Sequence, residues 1–238
     1  MNNSIILTIA CVTYNDCKNL EATIQSIMGI KNDNFEFIVI DGMSNDGTQE
    51  LLKRNSGTVT KFISEKDTGI YNAMNKALNN ATGRFVFFLG AGDTILISNI
   101  EELIKFLSQS KSFFIEFPVM IGGKRKHPPF SKKIKFTHHQ GCALSVNAAR
   151  AIHGFDENFE IHSDFLLMNK VSRLCKNDYF SQPVCNFALG GESNSGKNPI
   201  PQIKELLKIN KILGGNFLNF QFILMLSRPV YYFLKGLI

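Results

Sequence analysis

The feature that most constrains this chain is an alternation in its first third. Short, β-branched apolar runs take turns with segments whose apolar residues recur at helical spacing. Residues 5–14 form a near-continuous apolar run, and residues 18–30 put Leu20, Ile24, Ile27 and Met28 on one helical face. Residues 35–41 again read as a strand, Asp46 and Thr48 open a short helix through Leu51 and Leu52, and residues 61–64 read as a third strand. Residues 69–81 place Ile70, Met74, Ala77 and Leu78 on one helical face, and residues 84–89 are a fourth strand. Strands that are apolar on both faces must be covered on both faces, and parallel neighbours need a crossover helix between them. The expected fold class is therefore α/β, a mostly parallel central sheet with helices on both faces.

Composition narrows the class further. A chain of 238 residues with 44% hydrophobic and 19% charged residues can build one large core and lacks the signature of disorder. The five cysteines form no C-x-x-C pair, so neither a zinc site nor a disulfide framework is indicated, and a reducing cytoplasm is expected. The first residues lack a basic cluster, and the apolar run that follows is too short for a secretory segment. Net charge is +6, concentrated in residues 111–136 and 197–238, which leaves the remaining body acidic. That distribution favours a phosphate-rich ligand or an anionic membrane surface at one end over nucleic acid. We expect a main domain over residues 1–200, with halves at 1–95 and 96–200, and a separate C-terminal helical segment over 201–238.

In such sheets ligands bind beyond the carboxyl ends of the strands. Four corners fall there: residues 13–16, 41–47, 65–69 and 90–93, and each carries a carboxylate. A single such corner is ordinary turn or cap chemistry, with Asp46 able to cap a helix and Asp16 able to serve a turn. Four on one rim repel one another unless a cation or hydrogen-bond donors offset them.

The stretches "CVTYND", "FEFIVIDGMSNDGTQELL", "SEKDTGIYNAMNKALNNATGRFVFFLGAGD", "HHQGCALS" and "GFDENFEIHSDFLL" resemble, in order, the family 2 glycosyltransferases with the glycosyltransferase A fold. The resemblance spans roughly residues 4–170, and its wording is most similar to bacterial enzymes that build O-antigen, capsule or exopolysaccharide repeat units. It implies an inverting transferase that moves a sugar from a nucleotide diphosphate, UDP foremost, to a saccharide hydroxyl. It also implies a divalent cation, Mn²⁺ or Mg²⁺, held by Asp93. The family's fuller Asp-x-Asp motif is reduced here, since Gly90-Ala91-Gly92 replaces its first acid.

By the same resemblance Thr13, Tyr14, Asn15 and Asp41 hold the nucleoside, with Tyr14 against the base. Gly42 stands where the family often has a second acid. Asp67 sits over the nucleotide, and the helix that begins near Gly69 points its N-terminus at the same pocket, where backbone N–H groups favour anions. Asn72 and Asn75 lie one turn apart and face either that pocket or solvent. Gly90, Ala91 and Gly92 let the backbone approach the sugar diphosphate, His139 and Gln140 line the donor or acceptor pocket, and Asp164 is the general base.

His138 beside His139 invites a zinc hypothesis, but no third ligand stands at a recognisable spacing. Residues 124–129 read as a loop able to close over the ligand, and residues 154–156 as a helix stop and turn. The tail, residues 217–238, is apolar yet interrupted by Arg228 and Pro229, too broken for a spanning helix. It suits a membrane interface, at the cytoplasmic face of an inner membrane where a polyprenyl-diphosphate-linked acceptor would lie, or else packing on the main domain or on a second subunit. A nucleotidyltransferase is a weaker alternative, because the first strand is followed by no Gly-rich basic loop. A non-catalytic module of the same fold is the other.

Overall fold

The computed structural model describes residues 4–126, 139–188 and 199–215. The first half follows the expected alternation: β1 (Leu7–Thr13), α1 (Cys17–Ile27), β2 (Phe35–Asp41), α2 (Thr48–Arg54), β3 (Lys61–Ser64), α3 (Ile70–Asn80) and β4 (Phe85–Gly90). The second half continues with β5 (Thr94–Ile95), α4 (Ile97–Gln109), β6 (Phe114–Glu116), β7 (Val119–Ile121) and β8 (Lys124–Lys126). After these come β9 (Cys142–Ser145), α5 (Val146–Ala151), α6 (Ser163–Ser172), β10 (Asp178–Tyr179), β11 (Cys185–Phe187) and α7 (Pro199–Ile212).

The main sheet has the order β10-β6-β9-β4-β1-β2-β3. Strands β3, β2, β1 and β4 run parallel, and β9 is inserted antiparallel between β4 and β6. Alternate residues of each central strand serve opposite faces, as a period of two requires. Leu7, Ile9 and Cys11 of β1 join Phe37, Val39, Phe85, Phe87 and Leu89 in one core with α1, α2 and α4. Ala10, Ile38, Ile40, Val86 and Phe88 build a second core with α3, α5 and α6. The sheet is thus covered on both sides, which explains why its strands read as unbroken apolar runs.

A smaller sheet, β5-β11-β7-β8, was not expected. It changes the reading of residues 124–126, which form strand β8 rather than a loop and pair antiparallel with β7. Gly122 and Gly123 both carry positive φ, 55° and 73°, the pair of left-handed residues that a two-residue hairpin turn of type I′ demands. The rest of that supposed loop, from His127, lies outside the described residues, as do His138 and the tail from residue 217. Residues 153–154 do end a helix and turn the chain, with φ of 69° and 65°. All five cysteines are free. Among the described residues no helix is long and apolar enough to cross a membrane.

Helix α7, expected as part of a separate segment, packs on the body. Leu206 and Ile209 form a buried cluster with Phe159, Phe165 and Leu166 at the start of α6.

Candidate active site

Thr13, Asp41 and Ser64 are register partners at the ends of β1, β2 and β3, so these strands deliver their last residues to one edge. Asp41 is fully buried. Its carboxylate accepts the Ser44 amide at 3.2 Å, the Ser44 hydroxyl, and the Ser64 hydroxyl at 2.6 Å. Its visible work is to shape the loop after β2. Asn15, in the left-handed region at φ 48°, ties the β1 corner to the same loop: its amide donates to Ser44 Oγ and its side-chain oxygen accepts the Asn45 amide. Asp46 likewise accepts from Thr48 and from the Cys17 amide, joining the starts of α1 and α2.

What remains presented at this edge is Tyr14, 66% exposed, beside Gly42 and Asp67. A Cβ on Gly42 would stand 2.6 Å from Asp67 Oδ2 and 3.1 Å from Tyr14 Cδ2. The space that a second acid's side chain would occupy is filled by the Asp67 carboxylate, which also accepts the Gly69 amide at 3.1 Å. The Thr13 hydroxyl is buried there without a hydrogen-bond partner among the described residues. Asn72 and Asn75 do not line this edge. Both donate to Glu157, and Asn75 also clasps the backbone of Phe155 in both directions, pinning the turn before α6.

The next corner, after β4, is built around Asp93, 2% exposed. Its carboxylate accepts the Gly90 amide at 2.9 Å and the Ala188 amide at 2.8 Å, with the Gln140 side chain beside it. Burial raises its proton affinity above the ordinary carboxylate range, against those bonds. The glycines serve this carboxylate directly: a Cβ on Gly90 would lie 3.2 Å from Asp93 Oδ2, and Gly92 holds φ 94° to make the corner. Thr23 of α1 stitches it down, accepting from Gly92 N and donating to Asp93 O. Ala91 is half-buried beside it.

Asp164 lies in the first turn of α6. His139 Nδ1 stands 2.9 Å from Asp164 Oδ2, while Oδ1 accepts the Phe165 amide at 2.8 Å and the Tyr71 hydroxyl at 3.3 Å. Burial works to raise the affinity of this carboxyl for a proton. The His139 and Phe165 contacts outweigh it and hold the group below the usual range, as an ionised carboxylate. Tyr71 also donates to the Ile161 carbonyl at 2.5 Å, and its own phenol is pushed upward by burial and by Asp164.

One short turn connects the two acids. His139–Gly141 is a single 3₁₀ turn leading into β9, and its His139 bonds Asp164 while the side chain of its neighbour Gln140 lies beside Asp93 near Gly90. Gln140 is buried, and its Oε1 has no partner among the described residues.

This geometry, four strand-end corners with two braced acids, has a counterpart among known families. The description "Glycosyl transferase family 2" matches residues 8–162, well over half of the chain. The chain belongs to glycosyl transferase family 2. Its α/β architecture is that of the glycosyltransferase A fold, and the protein is a transferase enzyme of that family. A candidate teichuronic acid biosynthesis glycosyltransferase of Bacillus subtilis (strain 168) is 27% identical over 112 residues, covering 46% of this chain and 44% of that protein, so the chain spans less than half of that relative's length. Among solved structures, Staphylococcus aureus TarS 1-349 in complex with UDP-GlcNAc aligns with a TM-score of 0.71 at 16% identity, over 97% of this chain and 73% of that one. The mannosyltransferase PcManGT of Pyrobaculum calidifontis, in complex with GDP-Man and Mn²⁺, aligns at 0.69 and 16% identity, over 97% of this chain and 74% of that one.

Among the described residues of this family 2 chain, no group of three or more His, Cys, Asp or Glu is disposed to hold a metal ion. Asp93 alone offers a carboxylate at the β4 corner, buried and with no Lys or Arg ion pair among the described residues. Such a donor fits a hard cation that takes one protein oxygen and fills its shell from a ligand's phosphates and water, and does not fit a cage made of protein alone.

Sequence reasoning singled out Asp41, Asn72, Asp93 and Asp164 but not the contacts around them: Ser44 and Ser64 on Asp41, Tyr71 on Asp164, Thr23 on the Asp93 corner, and Glu157 on Asn72. Ser64 ends its strand beside Asp41, a strand-end signal that was available; the others are joined only by the fold.

Proposed function

We propose that this chain is an inverting glycosyltransferase that moves a sugar from a nucleoside diphosphate, UDP foremost, to a saccharide hydroxyl. The observation that carries the reading is the His139-Gln140 turn, whose first side chain bonds the ionised Asp164 and whose second lies beside Asp93 at the Gly90 corner. Asp93 marks the diphosphate side and Asp164 the acceptor side.

Asp164 takes the proton of the acceptor hydroxyl as that oxygen attacks the anomeric carbon. The new carbon–oxygen bond forms on the face opposite the departing nucleotide, and the electrons of the broken bond leave on the diphosphate oxygen, so configuration inverts. Tyr71 and His139 orient the carboxylate, and its depressed proton affinity keeps it ionised before each turnover. Tyr14, Asp67 and the buried Thr13 hydroxyl hold the nucleoside end, with Asp41 and Asn15 shaping the loop beneath. The amides at the start of α3, beside Gly69, add an anion-favouring edge. When bound, Mn²⁺ or Mg²⁺ would be held by Asp93 and offset negative charge on the diphosphate.

The B. subtilis relative's name points to cell-surface polysaccharide synthesis. We extend that to a polyprenyl-diphosphate-linked saccharide acceptor, met at the cytoplasmic face of the membrane through the basic, apolar C-terminal segment. No nucleic acid partner is involved, and self-association through the same segment remains the competing use of it. Residues 1–95 form the donor half and 96–200 the acceptor half.

The test is a panel of nucleotide sugars with saccharide acceptors, with and without Mn²⁺, followed by the anomeric configuration of any product. Transfer with inversion from a UDP-sugar is expected. Retention of configuration, or nucleotide binding without any transfer, sinks the reading.

A further inference from the structure

Helix α7 lies beyond the family-matched residues 8–162, yet it reaches the loop that carries Asp164. Glu205 projects from α7 against three consecutive backbone amides. Glu160 N donates to Oε1 at 2.5 Å, and Ile161 N and His162 N donate to Oε2 at 3.1 and 3.0 Å. The next carbonyl contact works from the other side, where Ile161 O accepts the Tyr71 hydroxyl. The peptide segment two to four residues before Asp164 is thus gripped from α7 on its N–H side and from α3 on its C=O side.

The grip matters because α6 has no side-chain cap of its own. His162 occupies the cap position without a capping hydrogen bond, and Asp164 stands in the first turn immediately after it. Of the three amides only that of His162 belongs to the helix start, while those of Glu160 and Ile161 precede it, and a carboxylate is the strongest acceptor a side chain can offer to all three. Here the acceptor comes from a helix 43 residues further along the chain. We infer that Glu205 is a positioning residue for transfer: it fixes the 160–162 backbone and thereby holds Asp164 in its contact with His139. This inference rests on the reading of Asp164 as the proton acceptor.

Helix α7 has other attachments, which separate positioning from docking. Leu206 and Ile209 are buried against Phe159, Phe165 and Leu166, Lys208 stands over the Phe159 ring, and Arg173 donates to Leu213 O. Loss of the Glu205 carboxylate leaves all of these in place, so the helix stays docked while the loop is released.

The experiment uses the full chain, with Glu205→Ala, Glu205→Gln and Asp164→Asn beside the wild type. Readouts are kcat and donor KM for transfer, UDP affinity by calorimetry, and amide hydrogen exchange over residues 160–162. Misplacement of a catalytic group by about 1 Å costs up to a hundredfold. We therefore expect Glu205→Ala to lower kcat by about ten- to a hundredfold while donor KM and UDP affinity stay within about twofold. Exchange at 160–162 should accelerate, and Glu205→Gln, which keeps an acceptor oxygen, should recover part of kcat. Glu205→Ala at wild-type kcat, or with unaltered exchange, beside an inactive Asp164→Asn overturns this inference alone. Asp164→Asn that still transfers sugar overturns the reading of Asp164, and this inference with it.

Discussion

Replacing Asp164 by Asn changes one charge and almost no shape, so its consequences can be worked from the contacts. The amide oxygen can still accept the Phe165 N–H and the Tyr71 hydroxyl. The amide nitrogen then faces His139 Nδ1, which must become an acceptor. One charge-assisted bond becomes a neutral one, and stability should change by only about 1–2 kcal/mol. The chemical cost is larger. A positioned general base contributes roughly 10²- to 10⁴-fold, or about 3–5 kcal/mol of barrier at about 1.36 kcal/mol per decade. The assay is the initial rate of UDP release with donor and acceptor both saturating, beside calorimetric UDP binding to the same preparation. The expected result is a kcat at least about a hundredfold lower with UDP affinity within about twofold. Asp164 itself should not be the group whose protonation ends activity on the acid side, since it is held ionised below the ordinary carboxylate range. Its folded proton affinity is depressed, so the stability it contributes is present above the unfolded carboxylate pKa of about 3.9 and is lost as pH falls through the folded value. A folded Asp164→Asn protein with kcat within about tenfold of wild type would refute the assignment of the base.

Gly42→Ala puts a methyl group against the movable end of Asp67 and the ring of Tyr14, so the protein should fold normally while donor KM rises by about three- to tenfold, the value of one displaced hydrogen bond. Unchanged donor kinetics would detach these residues from the nucleoside. Gly83→Ala is the opposite case. Its Cβ would meet Thr8 N and Oγ1 at 2.7 Å, atoms that cannot swing away, and would press on the bonds from Gly83 N to Thr8 Oγ1 and Glu36. We expect a loss of about 1–3 kcal/mol, seen as a melting temperature lower by about 2–4 °C for each kcal/mol, with donor KM unaltered. His162 is buried with Nε2 unpartnered among the described residues, and burial lowers its proton affinity against the opposing pull of Asp164 and Glu205. The unfolded chain therefore takes up the proton first, and stability should decline as pH falls from about 6.5 toward the folded value. His162→Leu should flatten that slope in thermal melts across the same range, and an unchanged slope would assign it to other groups.

The first half was legible because its rules are local. Unbroken apolar runs such as Phe35–Asp41 and helical spacing such as that of residues 70–80 each specify their own element, and the observed limits of β2 and β3 coincide with those read from sequence. The smaller sheet was less legible because its strands are two or three residues long and carry little periodicity, although the Gly122-Gly123 pair announced a hairpin. The site divides in the same way. Asp93 and Asp164 could be singled out because each sits in a stretch that resembles the family, after a strand or at the start of a helix.

Their environments were not legible. Nothing local joins His139 to Asp164 across 25 positions, Tyr71 to Asp164 across 93, or Glu205 to His162 across 43. Nor does any local rule turn Asn72 and Asn75 toward Glu157. By itself the sequence determined which acids stand at the carboxyl edge of the sheet, since strand and helix periods are properties of neighbouring residues. Only the tertiary structure decided which acids are spent on holding a loop, as Asp41 is, and which meet a histidine from a distant turn, as Asp164 does. Charge state and orientation depend on donors and burial supplied from distant parts of the chain, and those exist only once the layers have packed.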